Sequence, residues 1–124
     1  MDLRGLRGAT TVAENTAEAI WAATQEVVSE MLKRNNVEPE DIGAAIFSAT
    51  EDITAAFPAS GARKLPGFDA VPLFDTRQIA VEDAMKMCIR VLLLVDTPLK
   101  QREVQHVFLG KAANLRPDIV QNGK

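Results

Sequence analysis

The chain has 124 residues, 47% hydrophobic and 25% charged, with a formal net charge of −3 and a sequence pI near 5.1. That hydrophobic share excludes disordered and fibrous classes, and the acidic balance argues against general affinity for nucleic acid or an anionic membrane surface. The single cysteine, Cys88, cannot close an internal disulfide and suits a reducing, cytoplasmic setting.

Residues 1–12, MDLRGLRGATTV, carry charge at Asp2, Arg4 and Arg7 with no apolar h-region, so they read as a strand and not as a secretory signal. Two-residue alternation puts Leu3, Gly5, Arg7, Ala9 and Thr11 on one face and Arg4 on the other. Glycines at 5 and 8 strip bulk from either side of Arg7, as at a bulge or where a ligand or another backbone comes close. Asn15 with Glu18 resembles a capping box that opens a helix running to about residue 34. Its buried stripe is Ile20, Thr24, Val27, Val28, Met31 and Leu32. Trp21, on the shoulder of that stripe, reads as packing. Asn35 and Asn36 tolerate the left-handed geometry that ends a helix, and Pro39, Glu40 and Asp41 make the turn.

Residues 42–50, IGAAIFSAT, form a second strand with small side chains suited to close packing by a helix or a neighbouring subunit. The stretch EDITAAFPASGARKLPG starts helix-like, meets Pro58 and stops at Pro66 and Gly67. Arg63 and Lys64 on it read as solvated. A short strand over 70–74 and an irregular or helical connection over 75–83 lead to residues 85–97, MKMCIRVLLLVDT, the most strand-like run of the chain. Here Cys88, Arg90, Leu92 and Leu94 share one face and Ile89, Val91, Leu93 and Val95 the other, so both faces are expected to be buried. Its apolar stretch, residues 91–95, is far short of the roughly 20 residues of a membrane span. Residues 101–104 can form one helical turn and residues 104–109, VQHVFL, a last strand. His106, the only histidine, has no metal-ligand spacing or catalytic partner. The expected organisation is one domain over residues 1–117 and a mobile tail over 118–124. The order of elements argues for an α/β (α+β) fold, a mixed β-sheet covered by helices.

The chemistry lies in the arginines. No nucleophile elbow, Walker loop, dinucleotide fingerprint or zinc spacing is present. A guanidinium in an apolar strand keeps its proton and must find an anion, because one left unpaired in the interior costs on the order of several kcal/mol. Either a protein carboxylate or a ligand answers Arg90. With Arg7 in the same position on another strand, one doubly negative ligand explains both better than two separate pairings. Such a cluster, without an evident base or nucleophile, can stabilise charge in a reaction that transfers no proton.

RGLRGATTV, ATEDITAAFPA, the VPL strand, CIRVLLL and HVFLGKAANLRPD together resemble the monofunctional chorismate mutases of the trimeric α/β class, collinearly over nearly the whole chain. The resemblance implies a homotrimer with a pseudo-α/β-barrel core and three clefts between subunits. Chorismate rearranges there to prephenate, in phenylalanine and tyrosine biosynthesis, without cofactor or metal. By resemblance Arg90 contacts the ether oxygen and a carboxylate, and Arg7 binds a carboxylate. Phe57, Ala59 and Arg63 come from the adjacent subunit, Leu73 and Phe74 line the pocket with Thr76 and Arg77 beside them, and Leu115 and Arg116 close over it. Better-known members carry glutamate at Gln78 and cysteine at Asp75. Since positions three apart on a helical turn share a side, Asp75 is expected to accept the ring hydroxyl's hydrogen bond with Gln78 in support. Phe108 stands for a tyrosine and Ser60 for a frequent lysine, each removing a contact to the dianion. These departures leave a second reading, a non-catalytic trimeric small-anion binding or regulatory protein of the same fold.

Overall fold

The computed structural model describes residues 2–114. The expected tail, and Leu115 and Arg116 with it, lie outside the described residues. Seven main elements follow one another: β1 (Asp2–Thr11), α1 (Ala17–Asn35), β2 (Ile42–Ala49), α2 (Pro58–Arg63), β3 (Leu73–Arg77), β4 (Cys88–Thr97) and β5 (Val107–Phe108). They make a five-stranded sheet in the order β3-β2-β4-β1-β5. β4 is antiparallel to β1 and to β2, whereas β3 runs parallel to β2 and β5 parallel to β1, so the sheet is mixed as expected. Among the described residues no helix is long and apolar enough to cross a membrane.

The α1 stripe of Ile20, Val27, Val28 and Met31 is fully buried against the sheet face that carries Leu6, Phe47, Ile89, Val91 and Leu93. Each such aliphatic side chain contributes about 1.5–3 kcal/mol. Gly8 belongs to this face: a Cβ there would lie 2.4 Å from Met31 Sδ, so its missing side chain lets α1 close on β1. Thr24 is buried in the stripe because its hydroxyl donates to Ile20 O at 2.8 Å. The helix ends as expected, with Asn36 in the left-handed region at φ 54°.

Several boundaries differ from the sequence reading. Thr16, not Asn15, caps α1, its hydroxyl accepting from Ala19 N–H. Asn15 is occupied elsewhere, its Oδ1 accepting from the backbone N–H groups of Thr54 and Ala55. The helix in the EDITAAFPASGAR stretch starts at Pro58, which pre-sets φ at the first helical position and has no N–H to waste there. β3 begins at Leu73 and takes in residues 75–77, which were expected in an irregular or helical connection, because Ala45 N–H donates to Pro72 O and starts the ladder there. β4 starts at Cys88, since Met87 adopts a φ of 51° that no strand continues. The last strand shrinks to two residues because Gln105 gives its backbone to the Asn35 side chain.

Within one chain only one face of β4 is covered along its length. Ile89, Val91, Leu93 and Val95 face α1 and are closed off, whereas on the reverse face Cys88 is buried and Arg90, Leu92 and Leu94 are half-open. The expectation that both faces are buried therefore fails for the isolated chain.

Candidate active site

Residues opposite each other in a ladder share a face of the sheet. Ala9 and Ser48 flank Arg90 on either side, and Arg7 stands opposite Leu92, one pair further along. Arg7 and Arg90 therefore project from the same, uncovered face. Ala9 and Ser48 are both small, so neither ladder neighbour places a bulky side chain beside Arg90. Phe108 is opposite Ala9, and the Arg7 guanidinium carbon lies 5.8 Å from its ring centroid, a cation–π contact.

Arg90 Nε is buried without a hydrogen-bond partner, and no ion pair to Arg90 is present among the described residues. Its neighbour is the Cys88 thiol. Burial pushes that thiol up, with the Arg90 charge and hydrogen bond pulling the other way, so Cys88 stays neutral and does not cancel the guanidinium.

Gln78 follows β3 directly. Its N–H still donates to Ala49 O at 2.9 Å, which continues the alternation and puts its side chain on the side of Thr76, Ser48 and Arg90. Its Oε1 is also buried without a partner. Gln78 lines a cleft of about 510 Å³ with Thr50, Asp52, Met85 and Lys86. Met85 packs on the Ala9, Phe108 and Ala112 cluster, which ties this cleft to the arginine face.

The sequence reading overlooked the turn that builds this end of the face. Asp52 accepts from Met87 N–H at 3.0 Å and from the Thr50 hydroxyl, and Thr50 Oγ1 in turn accepts from Cys88 N–H at 3.0 Å. The T-E-D spacing of an ST/Asx turn was its only sequence signal. Partial burial raises the Asp52 pKa, but the hydrogen bonds from Thr50 and Met87 and the nearby Lys86 charge outweigh it and hold the carboxyl below its usual range. A lowered acid stabilises the fold above its unfolded pKa and loses that contribution as the pH falls through the folded value. Asp52→Asn is therefore expected to destabilise by about 1 kcal/mol at pH 7, a figure discounted for solvent screening. The gap in thermal unfolding between variant and wild type should close below about pH 4.

The remaining candidate residues occupy the opposite side of the sheet. Leu73, Asp75 and Arg77 pair with Ala45, Phe47 and Ala49, all of the α1-facing set. Asp75 Oδ1 accepts from Ala59 N–H at 3.0 Å. Burial pushes its carboxyl above the usual range, with that hydrogen bond and the Arg63 charge opposing. Arg77 Nη1 is committed to the carbonyls of Thr50 and Ile53, so it staples the turn. Phe57 is 68% exposed beside a second cleft of about 530 Å³ that Trp21, Pro58, Ser60, Asp75 and Arg77 also line. Lys64 is exposed but not merely solvated, for its Nζ lies 4.6 Å from the Trp21 ring centroid.

The candidate set thus divides. Arg7, Arg90, Gln78, Phe108, Phe74 and Thr76 belong to the open face, and Phe57, Ala59, Arg63, Leu73, Asp75 and Arg77 to the side and edge carrying α2. The shared side expected for Asp75 and Gln78 is corrected: three residues apart along extended backbone point to opposite faces, where a helical turn would have aligned them. No single chain brings both groups around one ligand.

The profile of the family described as chorismate mutase type I matches residues 3–119. The chain belongs to this family. It is 46% identical over 118 residues to the AroH chorismate mutase of Thermus thermophilus, covering 94% of this chain and 96% of that one. With the AroH chorismate mutase of Bacillus subtilis (strain 168) the identity is 40% over 119 residues, covering 96% and 94%. The solved chorismate mutase of Clostridium thermocellum superposes with a TM-score of 0.84 at 41% identity, over 87% of this type I chain and 96% of the neighbour. The likeness carried by the separated arginine and glycine motifs thus extends over the whole sheet and its helices.

Proposed function

We propose that this chain isomerises chorismate to prephenate in aromatic amino acid biosynthesis, in the cytoplasm, at clefts between neighbouring copies of a homotrimer. The observation that carries the reading is the convergence of Arg7 and Arg90 on one open face, where Arg90 Nε lacks an acceptor and Gln78 Oε1 lacks a donor. Buried polar atoms without partners are costly, and a substrate bearing two carboxylates and an ether oxygen supplies the acceptor that Arg90 lacks.

The rearrangement breaks the ether C–O bond and forms a C–C bond in one step, with no proton transferred. Negative charge gathers on the departing oxygen, and a guanidinium already fixed beside it favours that state over the neutral ether. Arg90 has this role, and Arg7 holds a carboxylate so that the flexible substrate stays in its compact, reactive conformer. Phe57, Ala59, Arg63 and Asp75 reach the same substrate from the neighbouring copy, with Asp75 accepting the ring hydroxyl and Gln78 supporting it from the arginine face. Phe74, Thr76, Leu73 and Arg77 shape the walls of the cleft. Phe108 offers no hydroxyl donor to a carboxylate and Ser60 brings no positive charge to the cleft edge, which weakens binding.

Self-association is supported by the open face itself. Leu3 and Phe74 are 67% and 64% exposed there, beside half-buried Ile46, Leu92 and Leu94. A contiguous apolar area of this kind marks an interface. Addition of the purified protein to chorismate is expected to deplete the chorismate absorbance with matching appearance of prephenate. A rate equal to that of buffer alone would leave only the anion-binding reading.

A further inference from the structure

The outer edge of β1 is finished by side chains instead of by a strand. β5 pairs only with Gly8 and Ala9. Ahead of them, the Gln101 amide accepts from Gly5 N–H at 3.0 Å and donates to Gly5 O at 2.7 Å. Arg7 N–H donates to His106 Nδ1 at 2.9 Å. A backbone carbonyl does not take that place because Gln105 is turned toward α1. Its N–H donates to Asn35 Oδ1 at 2.7 Å and its carbonyl accepts from Asn35 Nδ2 at 2.8 Å. The imidazole thus replaces the ladder bond that β5 would otherwise have made to Arg7.

We propose that His106 is a positioning residue for Arg7, its Nδ1 fixing the strand backbone from which the guanidinium is aimed over Phe108 toward the substrate. The inference rests on the proposed role of Arg7 as carboxylate anchor. A neutral imidazole that accepts at Nδ1 carries its hydrogen on Nε2, so this contact selects one tautomer. His106 immediately precedes β5 and Phe108 is the second residue of that strand. One holds the Arg7 backbone and the other sits under its guanidinium, so Arg7 is gripped at both ends. An anchor displaced by about 1 Å can weaken the reaction by as much as about a hundredfold, which gives half-buried His106 a place in substrate binding through Arg7.

His106→Leu and His106→Ala both remove the acceptor, one filling the space and one leaving it open, while His106→Asn returns an oxygen near the place of Nδ1. In steady-state kinetics with chorismate, the Leu and Ala variants are expected to raise KM about tenfold with turnover changed less than about threefold, and the Asn variant to recover most of the loss. In an Arg7→Ala background, His106→Leu should add nothing further to KM. An unchanged KM in the Leu and Ala variants overturns the proposal. So does an Asn variant as impaired as they are, or an undiminished effect of His106→Leu once Arg7 is gone, since a purely structural role would give either. If Arg7→Ala alone leaves KM unchanged, the anchor role has failed and takes this inference with it. If Arg7→Ala raises KM and the Leu and Ala variants at 106 do not, only the inference has failed.

Discussion

Arg90→Gln is expected to raise the barrier for chorismate rearrangement by at least about 3 kcal/mol, slowing turnover about a hundredfold or more, as for removal of one preorganised donor in a site shielded from water. The side chain emerges between Ala9 and Ser48, its Nε is closed off from solvent, and the Cys88 thiol beside it stays protonated, so the positive charge is undiminished where the proposed mechanism needs it. That oxygen is nearly neutral in the bound substrate, and KM should therefore change less than turnover. The fold should not suffer. No ion pair to Arg90 is present among the described residues, so glutamine removes a poorly compensated charge and the unfolding temperature should stay level or rise. Steady-state kinetics with a thermal melt test both halves of the expectation; comparable turnover in the variant would contradict the role given to Arg90.

The second large effect follows from the division of the site between two sides of the sheet. Arg63→Ala removes a cation from the α2 edge and Arg90→Gln one from the open face, so each variant alone should be severely impaired. In the proposed ring every cleft would take its open face from one chain and its α2 edge from the next. Co-expressed, the two variants should then form mixed trimers in which about a quarter of the clefts combine two native halves. Activity should return to about that fraction of wild type, far above either parent. Arg7→Ala mixed with Arg90→Gln is the control, because both changes fall on the same half and every cleft stays damaged. Equal activity from both mixtures would place the whole site within one chain.

The two arginines and their strands were legible early, since alternation depends only on parity. Arg7 and Arg90 fall correctly from single-strand counting, as does the α1 stripe. Gln78 was not legible in the same way. Its side depends on whether residues 75–77 are helical or extended, and that was decided by Pro72 O receiving Ala45 N–H from a strand nearly thirty residues earlier. The Thr50 and Asp52 turn and the His106 contact escaped for a related reason. Each is a side chain bonded to backbone remote in sequence, and no local periodicity records it.

The amino-acid order alone decided which side chains share a face within each element, where permanent charge is embedded in apolar strands, and that those cations come with no evident base or nucleophile motif. These follow from neighbours a few residues apart, through the repeat of strand or helix and the chemistry of guanidinium. Only the folded chain decided that the faces bearing Arg7 and Arg90 coincide, that Asp75 departs to the other side, and that one face of β4 is left half-open. Register and pairing are set by contacts between segments up to about a hundred residues apart, whose energies depend on what the whole sheet can bury at once.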